Sequence, residues 1–249
     1  MHRTADDLAD VFEDAAKLAS RKGLTRFTKF IDPAQAIQAS RIAQSYNVRF
    51  TSWGGYPDAE RTVGCFVPDS SDVDISEYPL VCLHSRIHTK FSTVTHRDLL
   101  GAFMALGLTR ACIGDIIIRD ADVYLFAASQ TAGFIADSMT SAGKTTLSFS
   151  VLDEIPQMPQ PVGSSYNAVV SSLRLDTVLA CAYRLSRSEA ADVIHAGLVK
   201  VDHLPCERVD HALKEGSLLS LRGKGRIRLV SVNGTTRKQR IGISLFRYE

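Results

Sequence analysis

The segments Leu173-Arg174-Leu175-Asp176, Ser186-Arg187-Ser188-Glu189, Gly197-Leu198-Val199-Lys200-Val201 and Leu221-Arg222-Gly223-Lys224-Gly225-Arg226-Ile227-Arg228-Leu229 decide how the C-terminal third of the chain is read. Leu175, Val178, Leu179 and Ala182 recur at helical spacing and make one apolar stripe. Ser186 with Glu189 three positions later is a capping box opening a second helix, which runs to about residue 196. Gly197 then ends that helix in the left-handed cap conformation. Residues 198–202, 219–221 and 226–229 alternate as strands do, and period two sets Arg226 and Arg228 on one face with Ile227 and Leu229 toward the core. Two helices against a sheet with a cationic strand face are expected.

Charge supports a special role for this end. The net charge of +2 over 249 residues conceals an asymmetry: residues 1–163 hold 15 Lys and Arg against 19 Asp and Glu, a net of −4, whereas residues 164–249 hold 14 against 8, a net of +6. From Gly216 to Tyr248 there is no acidic side chain, but that stretch holds Arg222, Lys224, Arg226, Arg228, Arg237, Lys238, Arg240 and Arg247. A polyanionic partner follows, since an ordinary solvated basic face intersperses carboxylates. No apolar run approaches the roughly 18–20 residues of a membrane span, and residues 1–20 form an acidic amphipathic segment without a signal-peptide core. The five cysteines are widely spaced with no C-x-x-C pair, which suggests neither a disulfide framework nor a thiolate zinc site. A cytoplasmic location is expected.

Composition and pattern predict an α+β chain of three regions. Residues 1–75 form an N-terminal α/β region. Its first helix carries Leu8, Val11, Phe12, Ala15 and Leu18 at helical spacing, and a second, over 33–46, is capped by Asp32 with Pro33 in its first turn. Strands at 48–50 and 63–67 flank the loop Trp53-Gly54-Gly55-Tyr56-Pro57-Asp58. Residues 76–157 read as a strand at 80–83, a helix at 95–106, strands at 112–118 and 123–127, a helix at 131–142 and a strand at 145–151. That order, βαββαβ, is ferredoxin-like and shared with RNA-recognition motifs. The aromatic pattern of those motifs is absent from 111–118 and 147–152, so topology alone does not establish RNA binding. Pro156, Pro159 and Pro161 with Gly163-Ser164-Ser165 mark a linker over 158–170, and 171–249 is the third region.

This third region resembles the S-four domain, the small RNA-binding module (αL-type fold) named after ribosomal small-subunit protein four. Arg174-Leu175-Asp176, Ser186-Arg187, Ile194-His195-Ala196-Gly197-Leu198-Val199-Lys200-Val201 and the basic hairpin 221–226 carry the likeness over roughly 55 residues. Asp202-His203 replaces the Asn-Gly often found after the strand, which implies a wider connection there. Gly216-Ser217 stands where Gly-Asp is often found, which removes a carboxylate beside the hairpin. Upstream, the N-terminal motifs Phe27-Thr28-Lys29-Phe30-Ile31-Asp32-Pro33 and Gly54-Gly55-Tyr56-Pro57-Asp58-Ala59-Glu60-Arg61 resemble the bacterial YlmH family. The middle motifs His96-Arg97-Asp98-Leu99-Leu100-Gly101-Ala102, Gly107-Leu108-Thr109-Arg110 and Ile113-Gly114-Asp115-Ile116 do so too. The resemblance implies a noncatalytic, ribosome-associated RNA-binding protein whose partners are rRNA, tRNA and the large subunit. Related S-four proteins act on obstructed large subunits carrying peptidyl-tRNA.

The expected RNA contacts are Arg174, Arg187, Lys200, Arg222, Lys224, Arg226 and Arg228, with Tyr56, Arg61 and Arg97 as secondary contacts. Arg174 and Arg187 open helices, where positive charge opposes the macrodipole unless a phosphate compensates it. Gly223 and Gly225 let the backbone approach a sugar-phosphate. Lys200 is the weakest member of the set, Asp176 and Ser186 are assigned to helix starts, and an internal Glu60-Arg61 scaffold competes with the contact reading of Arg61. Gly107 and Gly114 are expected in turns and Asp115 at a turn or cap. No cofactor or metal is expected: Gly143-Lys144-Thr145 lacks the glycine and strand of a P-loop, and His84 with His88 lacks a third ligand. Two alternatives stay open. One is an RNA-modifying enzyme, a pseudouridine synthase or a methyltransferase, that uses the module for targeting. The other is an adaptor in cell division or photosynthetic assembly.

Overall fold

In the computed structural model, which describes residues 5–87, 94–158, 161–235 and 239–248, the chain opens with α1 (Ala5–Lys22), β1 (Arg26–Ile31), α2 (Pro33–Ser45), β2 (Arg49–Trp53) and β3 (Thr62–Val67). Asp32 caps α2 as expected, its Oδ1 accepting from the Gln35 amide at 2.9 Å while Gln35 Oε1 accepts from the Asp32 amide at 2.8 Å. The three strands form an antiparallel sheet in the order β1-β3-β2, and Phe12, Ala16, Ala19, Ala39 and Ala43 of the helices bury Ile31 and Phe66 of the sheet. Strand β1 is absent from the sequence reading. A register shift between Phe27 and Phe30 breaks its alternation, so the apolar residues do not fall at every second position.

There follow β4 (Leu80–Arg86), α3 (His96–Ala105), β5 (Ile113–Arg119), β6 (Asp122–Ala128), α4 (Ser129–Ser138), β7 (Ser141–Ala142), β8 (Thr145–Thr146) and β9 (Ser150–Val151). The antiparallel sheet order is β5-β6-β4-β9, the order that a split βαβ unit produces. The helix expected to reach residue 142 stops at Ser138 because Gly143, with φ +58°, and Lys144 turn β7 back onto β8. The strand expected over 145–151 is accordingly two short pieces. Residues 1–159 form one compact unit. Across the expected boundary near residue 75, Phe30, Val63, Cys65 and Val67 share a core with Tyr78, Cys82, Phe126 and Met158.

Residues 160–249 form a second unit, with β10 (Gly163–Val170), α5 (Leu175–Tyr183), α6 (Arg187–His195), β11 (Val199–Val201), β12 (Leu204–Pro205), β13 (Leu218–Leu221), β14 (Gly225–Thr235) and β15 (Ile241–Tyr248). The six strands run in the order β10-β15-β14-β13-β11-β12. The linker expected over 158–170 is therefore cut short: residues 163–170 pair with β15 along their whole length, from Gly163 opposite Tyr248 to Val170 opposite Ile241. Tyr166, Ala168 and Val170 supply the alternation inward, which Ser and Asn at the other positions disguise. The wider connection expected at Asp202-His203 is also absent. Val201 pairs with Leu204, and Asp202 and His203 have φ +48° and +68°, so a two-residue turn forms with both residues left-handed. The Leu218 amide donates to Asp202 Oδ1 at 2.8 Å and the Asp202 amide to the Leu218 carbonyl at 2.8 Å, which holds this turn without glycine.

Helices α5 and α6 cover one face of the sheet, where Leu175, Val178, Leu179 and Ile194 meet Leu219, Leu221, Ile227 and Leu229. Tyr183 ties that layer to the hairpin between β13 and β14, its hydroxyl lying 3.2 Å from the Leu219 carbonyl and 3.0 Å from the Gly225 carbonyl. Burial pushes its phenol up to about 12. Among the described residues no helix is long and apolar enough to cross a membrane, and no group of three or more His, Cys, Asp or Glu could hold a metal ion. His88 lies outside the described residues, and His84 Nε2 is 2.8 Å from Asp122 Oδ1.

Candidate nucleic-acid interface

With Ile227 and Leu229 committed to the helices, Arg226 and Arg228 project from the opposite face of the second unit's sheet, as period two predicts. Register extends this face into a row. Lys200 of β11 pairs with Ser220 of β13, Ser220 with Arg226 of β14, and Tyr248 of β15, next to Arg226, pairs with Gly163 of β10. The adjacent row holds Arg228, Phe246 and Ser165. The row through Lys200 and Arg226 contains no carboxylate, whereas the adjacent one runs on from Arg228 through Leu218 to Asp202, whose carboxylate accepts from the Leu218 amide. Lys200, the weakest candidate in the sequence, thus lines up with Arg226.

Tyr248 organises these cations and was missed by the sequence reading. Arg226 Cζ lies 5.4 Å and Arg228 Cζ 6.0 Å from its ring centroid, Arg228 Nε donates to its hydroxyl at 2.7 Å, and the Phe246 ring meets it edge-on at 4.9 Å. Such contacts hold two long side chains upright with an aromatic surface beside them, a combination suited to phosphate and base together. The alternation Leu245-Phe246-Arg247-Tyr248 was the available signal; it places the two aromatic rings on one face, while Arg247 turns inward onto the Tyr183 ring at 5.7 Å.

Arg174 and Arg187 lie in the helix layer, so the sheet separates them from Arg226 and Arg228. The phosphate invoked to explain their position has an internal substitute. Asp176, with an 11% exposed side chain, accepts from Arg174 Nε at 3.1 Å and Nη2 at 3.2 Å and from Arg187 Nη2 at 3.3 Å. Asp176 does sit in the first turn of α5, as assigned, and there one carboxylate offsets both arginines, which keep side-chain exposures of 43% and 65%. Arg222 and Lys224 sit exposed in the β13–β14 turn, and the Glu189 carboxyl at the start of α6 is held below its ordinary value by its hydrogen bonds with Ser186 and, to a lesser extent, by the charge of Lys224.

Burial pushes the Asp176 carboxyl up, yet hydrogen bonds from Arg174 and Thr177 outweigh it and leave the group below its ordinary value. A lowered folded pKa contributes stability that is fully present above the unfolded value near about 3.9 and is lost as pH falls through the folded one. Asp176→Asn is expected to cost about 2 kcal/mol at pH 7, since it removes the anion from two guanidinium groups. Urea unfolding across pH should show that deficit shrinking below about pH 4; a deficit that stays constant would contradict the ionic role.

The secondary candidates divide. Tyr56 donates its hydroxyl to Asp115 Oδ2 at 2.8 Å, and burial, with Asp115 beside it, holds its phenol far above the usual range. Arg61 donates through Nε to the Ile113 carbonyl at 3.1 Å and through Nη2 to the carbonyls of Phe30 and Arg110 at 3.2 and 3.0 Å. Both groups are spent inside the unit, so the scaffold reading replaces the contact reading. Asp115 is neither turn nor cap: from β5 it also accepts the Glu60 and Arg61 amides at 2.7 and 3.0 Å, which pins the Gly54–Arg61 loop. Gly114 lies in the same strand, where a Cβ would stand 2.6 Å from Phe30 Cε1, so close packing and not a turn requires glycine. Arg97 is exposed at the start of α3, and Arg237 and Lys238 lie outside the described residues.

Residues 74–154, which contain the split βαβ sheet, match the family model described as "Putative RNA-binding domain in YlmH". The ribosome-associated protein quality control protein P2 of Bacillus subtilis (strain 168) is 34% identical over 226 residues, covering 89% of this chain and 87% of that protein. The chain belongs to the YlmH family. The solved structure of the cell division protein YlmH from Streptococcus pneumoniae superposes with a TM-score of 0.51 at 21% identity, covering 61% of this chain and 94% of that one. That likeness concerns the fold shared by YlmH proteins.

Proposed function

We propose that this YlmH-family chain is a noncatalytic RNA-binding protein that associates with the ribosome. In this reading residues 171–249, which share one unit with β10, are an S-four module that grips structured rRNA or tRNA. The observation that carries it is the carboxylate-free row Lys200, Ser220, Arg226 and Tyr248 with Arg228 beside it. A duplex backbone offers regularly spaced phosphates to such a row, and binding of this kind releases counterions and weakens with salt. Arg222 and Lys224 in the turn, with Arg174 and Arg187 beyond it, extend the contact around one edge. The name of the Bacillus subtilis relative supports ribosome association and a part in quality control, and the S-four resemblance supports the large subunit as the docking partner.

Sedimentation of tagged protein from lysate through sucrose gradients tests this reading. Cofractionation with large subunits at low salt, lost as salt rises, is expected. A salt-insensitive pool free of ribosomal particles would overturn it in favour of an adaptor that contacts protein.

A further inference from the structure

The sheet of the first unit that contains β4, β5, β6 and β9 carries helices on one face only. Val81, Leu83, Val123 and Leu125 point into the core with α3 and α4. By alternation Cys82, His84, Arg86, Asp122, Tyr124 and Phe126 point the other way. At one end of this second face Cys82 and Phe126 are covered by Phe30, Val63, Cys65 and Val67. Toward the other end the register sets Ser150, His84, Tyr124 and Ile117 in one row and Arg86, Asp122 and Arg119 in the next.

That row holds two rings on the two central strands. The His84 and Tyr124 rings lie 5.1 Å apart at 33°, and both residues remain partly exposed. Asp122 holds the imidazole at 2.8 Å, which fixes the ring's orientation and engages the only carboxylate of the two rows. Arg86 and Arg119 flank Asp122 and are exposed. Residues 111–118 and 147–152, which lack the aromatic pattern of RNA-recognition motifs, contribute the flanking strands β5 and β9; the rings stand on the central strands β4 and β6 instead.

We propose that His84 and Tyr124 form a stacking platform for an unpaired base of single-stranded RNA, with Arg86 and Arg119 receiving the flanking phosphates. The inference rests on the RNA-binding reading above and adds to it a second site, of different specificity, in the first unit. Stacking suits this site because every base has a π-face, whereas the fixed depth of a duplex keeps its bases away from a sheet. Charge favours the same occupant: two exposed arginines border the rings, and the nearby carboxylate already has a partner. The RNA-binding family model spans all of these residues.

The test measures fluorescence anisotropy of the full chain with two labelled RNAs, an unstructured octanucleotide and a stable stem-loop. Tyr124→Leu keeps an apolar side chain under the sheet and removes the ring; it should weaken octanucleotide binding about tenfold and leave stem-loop binding within twofold. Tyr124→Phe should retain affinity for both, and thermal unfolding confirms that each variant is folded. Unchanged octanucleotide affinity in folded Tyr124→Leu overturns the platform, as does a wild-type chain that binds only the stem-loop, and in both cases the proposed function stands. A wild-type chain that binds neither RNA overturns both.

Discussion

Replacing Lys200, Arg226 and Arg228 together with alanine should weaken binding to structured RNA about 100-fold at physiological salt and lower the slope of log K against log salt by roughly two to three. The three side chains stand on one face across β11 and β14, and in the proposed complex each would neutralise a phosphate as a point charge or a fork. Removing one would leave the others to re-register along a regular backbone; removing all three deletes the row. Stability should change little, because none of the three belongs to the apolar core of that unit, and such surface substitutions rarely exceed about 0.5 kcal/mol apiece. Filter binding across a salt series checks this. An unchanged slope would mean that the polyanion lies elsewhere, with the Arg174, Arg187 and Asp176 cluster the next place to substitute.

The second large effect concerns stability. Gly55→Ala is expected to destabilise the first unit by at least about 3 kcal/mol. Gly55 has φ +99°, and a Cβ there would stand 2.4 Å from Cδ1 and Cε1 of Phe126, a fully buried ring that has no room to retreat. Backbone strain and steric overlap act together at this position. Gly101→Ala is the control. Gly101 sits exposed in α3 with nothing within 4 Å of an added Cβ, so alanine should stabilise by about 0.5–1 kcal/mol through helix propensity. Urea unfolding of the two variants should move in opposite directions. A mild effect at Gly55 would mean that the loop shifts as a body, which its three bonds to Asp115 oppose.

Local signals in the sequence located α2, α5 and α6 closely, because each is marked by residues adjacent to it: Asp32 with Pro33, the apolar stripe from Leu175, and Ser186 with Glu189. The same reasoning failed where partners are far apart in sequence. Strand β1 depends on a register shift against β3, and β10 shows its alternation only when laid beside β15. At the site, the facing of Arg226 and Arg228 followed from period two. The promotion of Lys200 needed a register across three strands, and Asp176 bonds Arg187 eleven residues away. Tyr56 was drawn inward by Asp115 and the Arg61 guanidinium by the carbonyls of Phe30, Arg110 and Ile113, partners 31 to 59 residues away that their own neighbourhood does not announce.

The Tyr183 hydroxyl, set between the carbonyls of Leu219 and Gly225, bears on the thermodynamics of association. From a helix it reaches both flanks of the β13–β14 turn, its single proton shared between the two carbonyls, and burial, which pushes the phenol up to about 12, favours the protonated donor. Arg222 and Lys224 are therefore displayed from a turn whose flanking backbone is immobilised during folding. A ligand docking there has to restrain two side chains, at roughly 0.5–1.5 kcal/mol each, without also ordering a flexible loop, so more of the electrostatic attraction survives as affinity.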